Sequence, residues 1–423
     1  NKVMAETNRN KWVVLALLTL VYTFSFIDRQ LLVILAEPVK ADLGLSDTQL
    51  GLLTGLAFAA LYVTLGLPIA RLADKGNRKN VVSASLAIWS AMTVISGMVT
   101  NFTQMLLARI GVGIGEAGGS PPSHSIISDY FPPEKRATAL SIYSVGIYIG
   151  IFLGFTIGGV LAQNYGWRVA FYAVGIPGIL LAVIIYYFVK EPVKGRYDPQ
   201  GVTRENPTLS NVIKTLMGKK TFVFIALGSG FIAFGSYGAG NFLPSFLQRV
   251  HGVELSKAGY LLGIAFGIGG GLGTFFGGFL ADRLRISDMR WYIWLPMVAA
   301  ILALIPFAVY VFSPQLNVVV IMVFLVSALL GAYLGPAIAV THSLVNAKMR
   351  AFASAVLFLI LNIIGLGFGP LTIGFISDVL QPEYGDLSLR WAFCCIFLSQ
   401  TLAILFFALA SKTYLRELKE TIQ

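Results

Sequence analysis

"FSFIDRQLL", residues 24–32, sets an aspartate and an arginine side by side within an apolar run from Trp12 to Ala36. Those 25 residues match the length of a membrane-spanning helix with some tilt. Asp28 lies well inside the run, where an ionised carboxylate costs at least ~2.5–3.5 kcal/mol. A residue that costly implies partners or a task, and the rest of the chain is where they must be found.

Composition sets the class. The chain has 423 residues, of which 56% are apolar and 12% charged, with a mean hydropathy of +0.77. A soluble domain carries about 25% charged residues, so a soluble fold is excluded. No short hydrophobic region is followed by a small-residue cleavage site, so the first span is expected to be a retained helix. The net charge of +11 does not indicate nucleic acid, because the basic residues are scattered through short loops. Cys394 and Cys395 are adjacent in an apolar run. Neighbours on a helix point about 100° apart, so they read as small packing residues rather than a disulfide or metal site.

The apolar runs predict an all-α membrane protein with twelve transmembrane helices, over 12–36, 47–72, 81–100, 102–129, 136–162, 167–189, 221–248, 256–281, 291–313, 315–342, 350–379 and 388–411. The runs are twice as long as a barrel strand needs. Of the 31 lysines and arginines, 24 lie in the termini and the loops after spans 2, 4, 6, 8 and 10. Five lie in the opposite loops (Lys40, Arg168, Arg249, Lys257, Arg390), and two, Arg29 and Arg109, inside spans. The positive-inside bias predicts that both termini and the first set of loops are cytoplasmic.

The longest connection, 190–220, is polar and basic (KEPVKGRYDPQGVTREN). It predicts a six-helix bundle over 1–189, a cytoplasmic linker over 190–220 and a second bundle over 221–423. The halves repeat. "ARLADK" (70–75) recurs as "GFLADR" (278–283), an offset of 208, and "GIFLGFTIGG" (150–159) as "GLGFGPLTIG" (365–374), an offset of 215. "EKRATALS" (134–141) recurs as "KMRAFASA" (348–355). Parallel six-helix repeats with a central loop are an architecture of secondary transporters.

Asp28 and Arg29 are consecutive, so their side chains diverge by ~100° and each needs a partner on another helix. Span 4 offers Arg109 and Glu116, seven residues apart and nearly on one face. A carboxylate in low dielectric is pushed toward protonation by desolvation and away from it by a nearby cation. Moving an arginine thus changes proton affinity, which makes Asp28 and Glu116 the candidate proton-coupling pair. Arg29 and Arg109 stay charged and bind phosphate or carboxylate in a fork, so they are candidates for an anionic head group. The competing reading is a charge network that only pins spans 1 and 4. Such networks seldom add net stability over apolar packing, which favours a functional role.

Glycines at 146, 150, 154 and 158, and at 365, 369 and 374, have spacings that allow close helix approach. "GIGGGLG" within 267–278 has no strand before it and reads as packing rather than a nucleotide loop. His124, His251 and His342 have no second ligand at metal spacing, so neither metal nor cofactor is expected. Tyr237, Asn241, Tyr333 and Asn362 are the candidate substrate-cavity residues of the second half, with Phe234 beside them to favour a lipid tail.

The chain resembles the major facilitator superfamily over essentially its whole length. The loop signature G-x-L-A-D-R/K-x-G-R-K is similar to residues 70–79, with Ala70 in place of the first glycine and Gly76 one place early. The fourth-helix signature R-x-x-x-G-x-G is similar to Arg109, Gly113 and Gly115. Within that superfamily, "FIDRQ" and "RIGVGIGEAGGSPPSHSIISDYFPPEKRA" (109–137) resemble the Spinster branch, its bacterial members included. The resemblance implies transport by alternating access of an amphipathic anionic lipid, of the sphingosine-1-phosphate or lysophospholipid class, coupled to protons. It also implies a gate in which Asp74 meets a positive helix end, with Arg78 and Arg136, and with Asp282 and Arg283 in the second half.

The expected setting is a bacterial inner membrane, with membrane lipids as the surroundings, no nucleic acid partner and a monomeric chain. A proton-coupled transporter of a sugar, drug or organic anion is the alternative. No nucleophile or metal set suggests an enzyme, and no P-loop suggests ATP-driven pumping.

Overall fold

The computed structural model describes residues 2–194, 208–346 and 349–422, and every regular element among them is helical. The expected linker therefore lies partly outside the described residues. Its described part contains a short helix, Leu209–Met217, whose Val212 and Leu216 are buried.

Span 1 is Lys2–Ile34, span 3 Arg78–Ser96, span 5 Pro133–Tyr165, span 6 Trp167–Phe188, span 7 Lys220–His251 and span 9 Trp291–Phe312. The others are interrupted. Span 2 runs from Asp47–Gly51 through a widened turn at Leu52–Leu56 into Ala57–Lys75. Span 8 repeats that pattern, with Leu255–Leu262, a widened turn at Gly263–Gly269, and Gly270–Leu284. Span 11 has its widened turn at Asn362–Phe368 between Arg350–Leu361 and Gly369–Tyr384. Span 12 follows the short helix Ser388–Ala392 as Cys394–Ile422. Spans 4 and 10 are each broken into two helices, Phe102–Glu116 with Ser120–Tyr130, and Leu316–Gly331 with Leu334–Ser343.

Among the described residues, nine segments are long and apolar enough to cross a membrane, one of them the 70-residue stretch Phe352–Thr421. That stretch contains spans 11 and 12. Span 3 and the broken span 4 fall outside the nine because they are the most polar, and they are also the spans that meet the charges of span 1.

The chain divides into two compact units. Unit 1 comprises Asn1–Leu45, Ala57–Val202 and Glu254–Gly263, and unit 2 comprises Ser46–Leu56, Thr203–Val253 and Ile264–Gln423. In unit 1, spans 1 and 5 lie backbone to backbone. A Cβ on Gly146 would sit 2.8 Å from the Thr19 carbonyl, on Gly150 2.5 Å from that of Thr23, and on Gly154 2.9 Å from that of Ile27. One glycine per turn thus lets span 5 track span 1 past Asp28 and Arg29. In unit 2, Gly365 and Gly369 do the same against Ala233 and the Phe234 carbonyl of span 7. Gly273 and Gly277 press on Ala328 and Ala332 of span 10. The glycine-rich stretch is a helix contact, as its spacing predicts.

The internal repeat reappears at atomic detail. In unit 1, Cβ atoms on Gly259 and Gly159 would lie 2.3 Å from the Phe155 carbonyl and 2.8 Å from that of Leu255. In unit 2, those on Gly51 and Gly374 would lie 2.3 Å from the Pro370 carbonyl and 2.2 Å from that of Asp47. Gly51 and Gly259 are 208 residues apart, and Gly159 and Gly374 are 215 apart, the two offsets of the sequence repeat.

A buried charge site in spans 1, 3 and 4

Span 4 breaks where its sequence says it must. Phe102–Glu116 ends before Gly118 and Gly119, and Ser120–Tyr130 restarts with prolines in its first turn. Proline has no N–H to continue a ladder but is preorganised for a first turn. Glu116 is therefore the last residue of its helix. The signature glycines set the depth of that helix: a Cβ on Gly113 would be 2.8 Å from the Phe58 carbonyl of span 2, and one on Gly115 2.7 Å from the Trp89 backbone nitrogen of span 3. Span 4 is thereby wedged between spans 2 and 3, with Arg109 and Glu116 turned toward span 1.

The four charges form two separate pairs. Arg109 donates from Nη1 to Asp28 Oδ1 at 3.3 Å, and Thr93 of span 3 donates its hydroxyl to Asp28 Oδ2. Both charged side chains of this pair are 2% exposed. Arg29 donates from Nε to Glu116 Oε2 at 2.7 Å, and Ser25 donates to the same oxygen at 2.8 Å. The Arg29 guanidinium also lies 4.8 Å from the ring centres of Phe26, Phe58 and Tyr62, an arrangement that favours a cation. Among the described residues, two buried polar atoms of the site have no hydrogen-bond partner, Glu116 Oε1 and Arg109 Nε. A pocket lined by Ser25, Arg29, Tyr62, Trp89, Glu116 and Tyr143 opens beside them. Tyr143 stacks on Tyr22 at 4.4 Å and meets the His124 ring edge-on at 5.1 Å.

Chemically, the site is two neutralised pairs, each combining a titratable acid with a permanent cation. Breaking either by removing one partner leaves a buried charge, a change that costs ~3–5 kcal/mol in such settings. The site can respond to an anion, to a cation, or to a proton on either acid.

Of the gate candidates, Arg78 is 2% exposed and holds four partners. It reaches Glu191 at 2.7 Å, Asp129 at 2.5 Å, Ser125 at 2.8 Å and the Pro192 carbonyl at 3.1 Å. Glu191 in turn accepts from the Lys79 backbone at 3.0 Å. Arg78 therefore ties the ends of spans 3, 4 and 6 together. Arg136 donates to the Ser128 carbonyl at 2.9 Å. Asp282 accepts from the Tyr292 hydroxyl at 2.7 Å, and Arg283 is exposed. The Asp74 side chain lies outside the described residues.

The second-half candidates all fall in unit 2. Asn241, 8% exposed, donates to the Thr54 carbonyl at 3.2 Å. Asn362 donates to the Phe358 carbonyl at 2.9 Å, within its own helix. Tyr237 is 37% exposed and Tyr333 is half-buried.

Sequence reasoning missed a cluster at the start of span 2, in unit 2. Asp47 is fully buried and takes both Arg249 terminal nitrogens at 2.7 Å, with Ser377 donating to it at 2.7 Å. Asp378 accepts from the backbone nitrogens of Asp47 and Thr48 at 2.9 and 2.7 Å. Ser46 and Gln49 close a capping box on the same turn. The motif S-x-x-Q was readable as a helix start. The ion pair joins residues 202 apart, which no local pattern reveals. Beyond the spans, Arg168 donates to Asp42 at 2.5 Å, and this hydrogen bond holds the Asp42 carboxyl below the usual carboxylate range.

Comparison with known proteins places these features in a family. The profile of the Major Facilitator Superfamily matches residues 18–370. An MFS-type efflux pump of Mycolicibacterium smegmatis is 34% identical over 97% of this chain and 95% of its own length. A sphingosine-1-phosphate transporter of Danio rerio is 26% identical over 87% of this chain and 76% of its own. The crystal structure of a bacterial homolog of the human lysosomal transporter Spinster, inward-facing and unoccupied, superposes with a TM-score of 0.90. It shares 34% identity over 96% of this chain and 98% of that one.

Proposed function

For a chain that belongs to the major facilitator superfamily, and is thus a twelve-helix membrane transporter rather than an enzyme, we propose that the substrate is an amphipathic lipid with an anionic head, of the sphingosine-1-phosphate or lysophospholipid class. Transport runs by alternating access and is coupled to protons through Asp28 and Glu116. Both termini and the 190–220 linker face the cytoplasm of a bacterial inner membrane, and the chain acts as a monomer.

One observation carries this reading: two acid–arginine pairs are buried side by side among spans 1, 3 and 4, one of them against a pocket. Arg29 and Arg109 supply the attraction for a phosphate. A phosphate arriving at either arginine weakens that arginine's hold on its carboxylate, and the carboxylate then gains affinity for a proton. Anion binding and proton uptake are thereby linked in both directions. Asp74, Arg78, Arg136, Asp282 and Arg283 act at the gate, and Tyr237, Asn241, Tyr333 and Asn362 serve the lipid from the second half. The fish relative's named substrate has the required head-group chemistry.

The test is flux in reconstituted liposomes with labelled lysophospholipids and with sugar acids, each with and without a pH gradient. Lysophospholipid movement that responds to the gradient supports the proposal. Movement of sugar acids alone transfers it to the organic-anion alternative.

A further inference from the structure

The internal repeat permits a comparison between the two units at the ends opposite their basic loops. In unit 1, span 1 leads into the helix Ala36–Leu43, which closes on Gly44 with φ 65°. In unit 2, span 7 ends at His251 and closes on Gly252 with φ 62°. The two glycines are 208 residues apart, so Asp42 and Leu43 correspond to Val250 and His251. A second correspondence lies at the starts of spans 6 and 12. Arg168-Val-Ala-Phe171 recurs as Arg390-Trp-Ala-Phe393, an offset of 222, and the alanine and phenylalanine of both copies are fully buried.

The two arginines differ in their company. In unit 1, Arg168 donates to Asp42 at 2.5 Å and to the Val99 carbonyl at 3.1 Å, and Trp167 donates to the same carboxylate at 3.2 Å. In unit 2, Val250 stands where that carboxylate would be. The Arg390 side chain has no hydrogen bond or ion pair among the described residues, although its Nε is buried. Glu383 and Asp386, the nearest acids before it in sequence, are exposed and do not pair with it. His251 Nε2 is likewise buried and unpartnered among the described residues. The two side chains are neighbours: the Arg390 charge bears on His251. The Phe246 ring meets the His251 ring at 5.4 Å and, at 5.3 Å, that of Phe393, three residues after Arg390.

Buried N–H donors without an acceptor are costly in low dielectric. An arginine fork beside an imidazole N–H suits an oxyanion. The surroundings set its depth: Trp391 is exposed and meets Phe312 at 6.0 Å and Tyr384 at 5.4 Å. Such aromatic groups lie at the head-group level of a bilayer, where its phosphates are.

We infer that Arg390 and His251 form a binding site for a phosphate group, at the position where unit 1 carries its own carboxylate. The site belongs to unit 2 and shares no residue with the charge pairs of unit 1. Its occupant is a phospholipid phosphate or free phosphate, and it ties the end of span 7 to the start of span 12 as Asp42 ties its helix to span 6.

The experiment is thermal unfolding of the full-length protein in detergent. Inorganic phosphate is compared with chloride at matched ionic strength, and dioleoyl phosphatidylglycerol with dioleoylglycerol, which lacks the phosphate. At least one phosphate-bearing probe is expected to raise the unfolding temperature of the native protein by about 3–5 °C over its control. Arg390→Gln should remove most of that rise. Val250→Asp, which installs the acid of unit 1, should remove it too while unfolding no lower than the native protein without the probe. A rise with the lipid alone identifies a lipid head as the source, and a rise with inorganic phosphate shows that the free anion suffices.

Should Val250→Asp fail to fold, His251→Leu, which installs the unit 1 residue, is expected to lower the rise by about half. No rise in the native protein, or an undiminished rise in any folded variant of the three, would overturn the inference.

Discussion

Arg29 and Glu116 lie 87 residues apart in sequence and meet at 2.7 Å inside unit 1, where both line one pocket. Neither is tolerable alone at that depth. The pair therefore makes the state of one residue a condition on the other, which is the property a coupled transporter needs.

That dependence is measurable as non-additivity. Arg29→Ala leaves Glu116 buried without its cation and is expected to destabilise the protein by ~3–5 kcal/mol. Adding Glu116→Gln removes the orphaned charge and should recover much of the loss. Thermal unfolding of the two single variants and the double variant, taken as a cycle, reports the coupling, with an expected magnitude of ~0.5–3 kcal/mol. Additive losses would mean the two residues do not act as a pair.

The glycine track between spans 1 and 5 predicts a sharp contrast. A Cβ on Gly150 would lie 2.5 Å from the Thr23 carbonyl, whereas nothing lies within 4 Å of one on Gly66. Gly150→Leu is expected to cost ~1–3 kcal/mol or to prevent folding. Gly66→Leu should stay within ~0.5 kcal/mol of the native protein. Yield and unfolding temperature in matched detergent distinguish them.

Arg78 anchors the chain that leaves span 6 through Glu191 and the Pro192 carbonyl. Arg78→Ala should free that segment, and limited proteolysis should then cut near residues 190–194 at a markedly higher rate. Unchanged cleavage would show that Tyr130, which donates to the Lys190 carbonyl at 2.7 Å, suffices to hold it.

The Asp47–Arg249 contact is bidentate and buried, so it too should act as a unit. Arg249→Met is expected to cost ~3–5 kcal/mol, and combining it with Asp47→Asn should cost less than the sum of the two. The readout is the same thermal cycle, performed on unit 2 residues of the full chain.

The architecture was legible because a membrane leaves few choices. Apolar runs of spanning length must be helices, and the offsets of 208 and 215 return as equivalent glycine contacts within each of the two units. The four charges of spans 1 and 4 were legible for the same reason, since any deep charge stands out against the apolar background. Which arginine meets which acid was not: Arg109 and Glu116 lie on one face, and only the depth set by Gly113 and Gly115 assigns Arg109 to Asp28 and Glu116 to Arg29. The part played by Thr93 was hidden too, because a threonine in an apolar helix looks like any other small residue. Asp47 and Arg249 escaped because each stands at a helix end, where charge is commonplace, and their proximity is a product of packing between elements far apart in sequence.

The most direct test of the account is transport of lysophosphatidylglycerol into liposomes by the native protein and by Asp28→Asn, with an imposed pH gradient. Asparagine keeps the shape and some of the hydrogen bonding of aspartate but cannot ionise. The account predicts that the gradient accelerates flux by the native protein and leaves flux by a folded Asp28→Asn variant unchanged. A folded Asp28→Asn protein whose flux follows the native pH profile would contradict it.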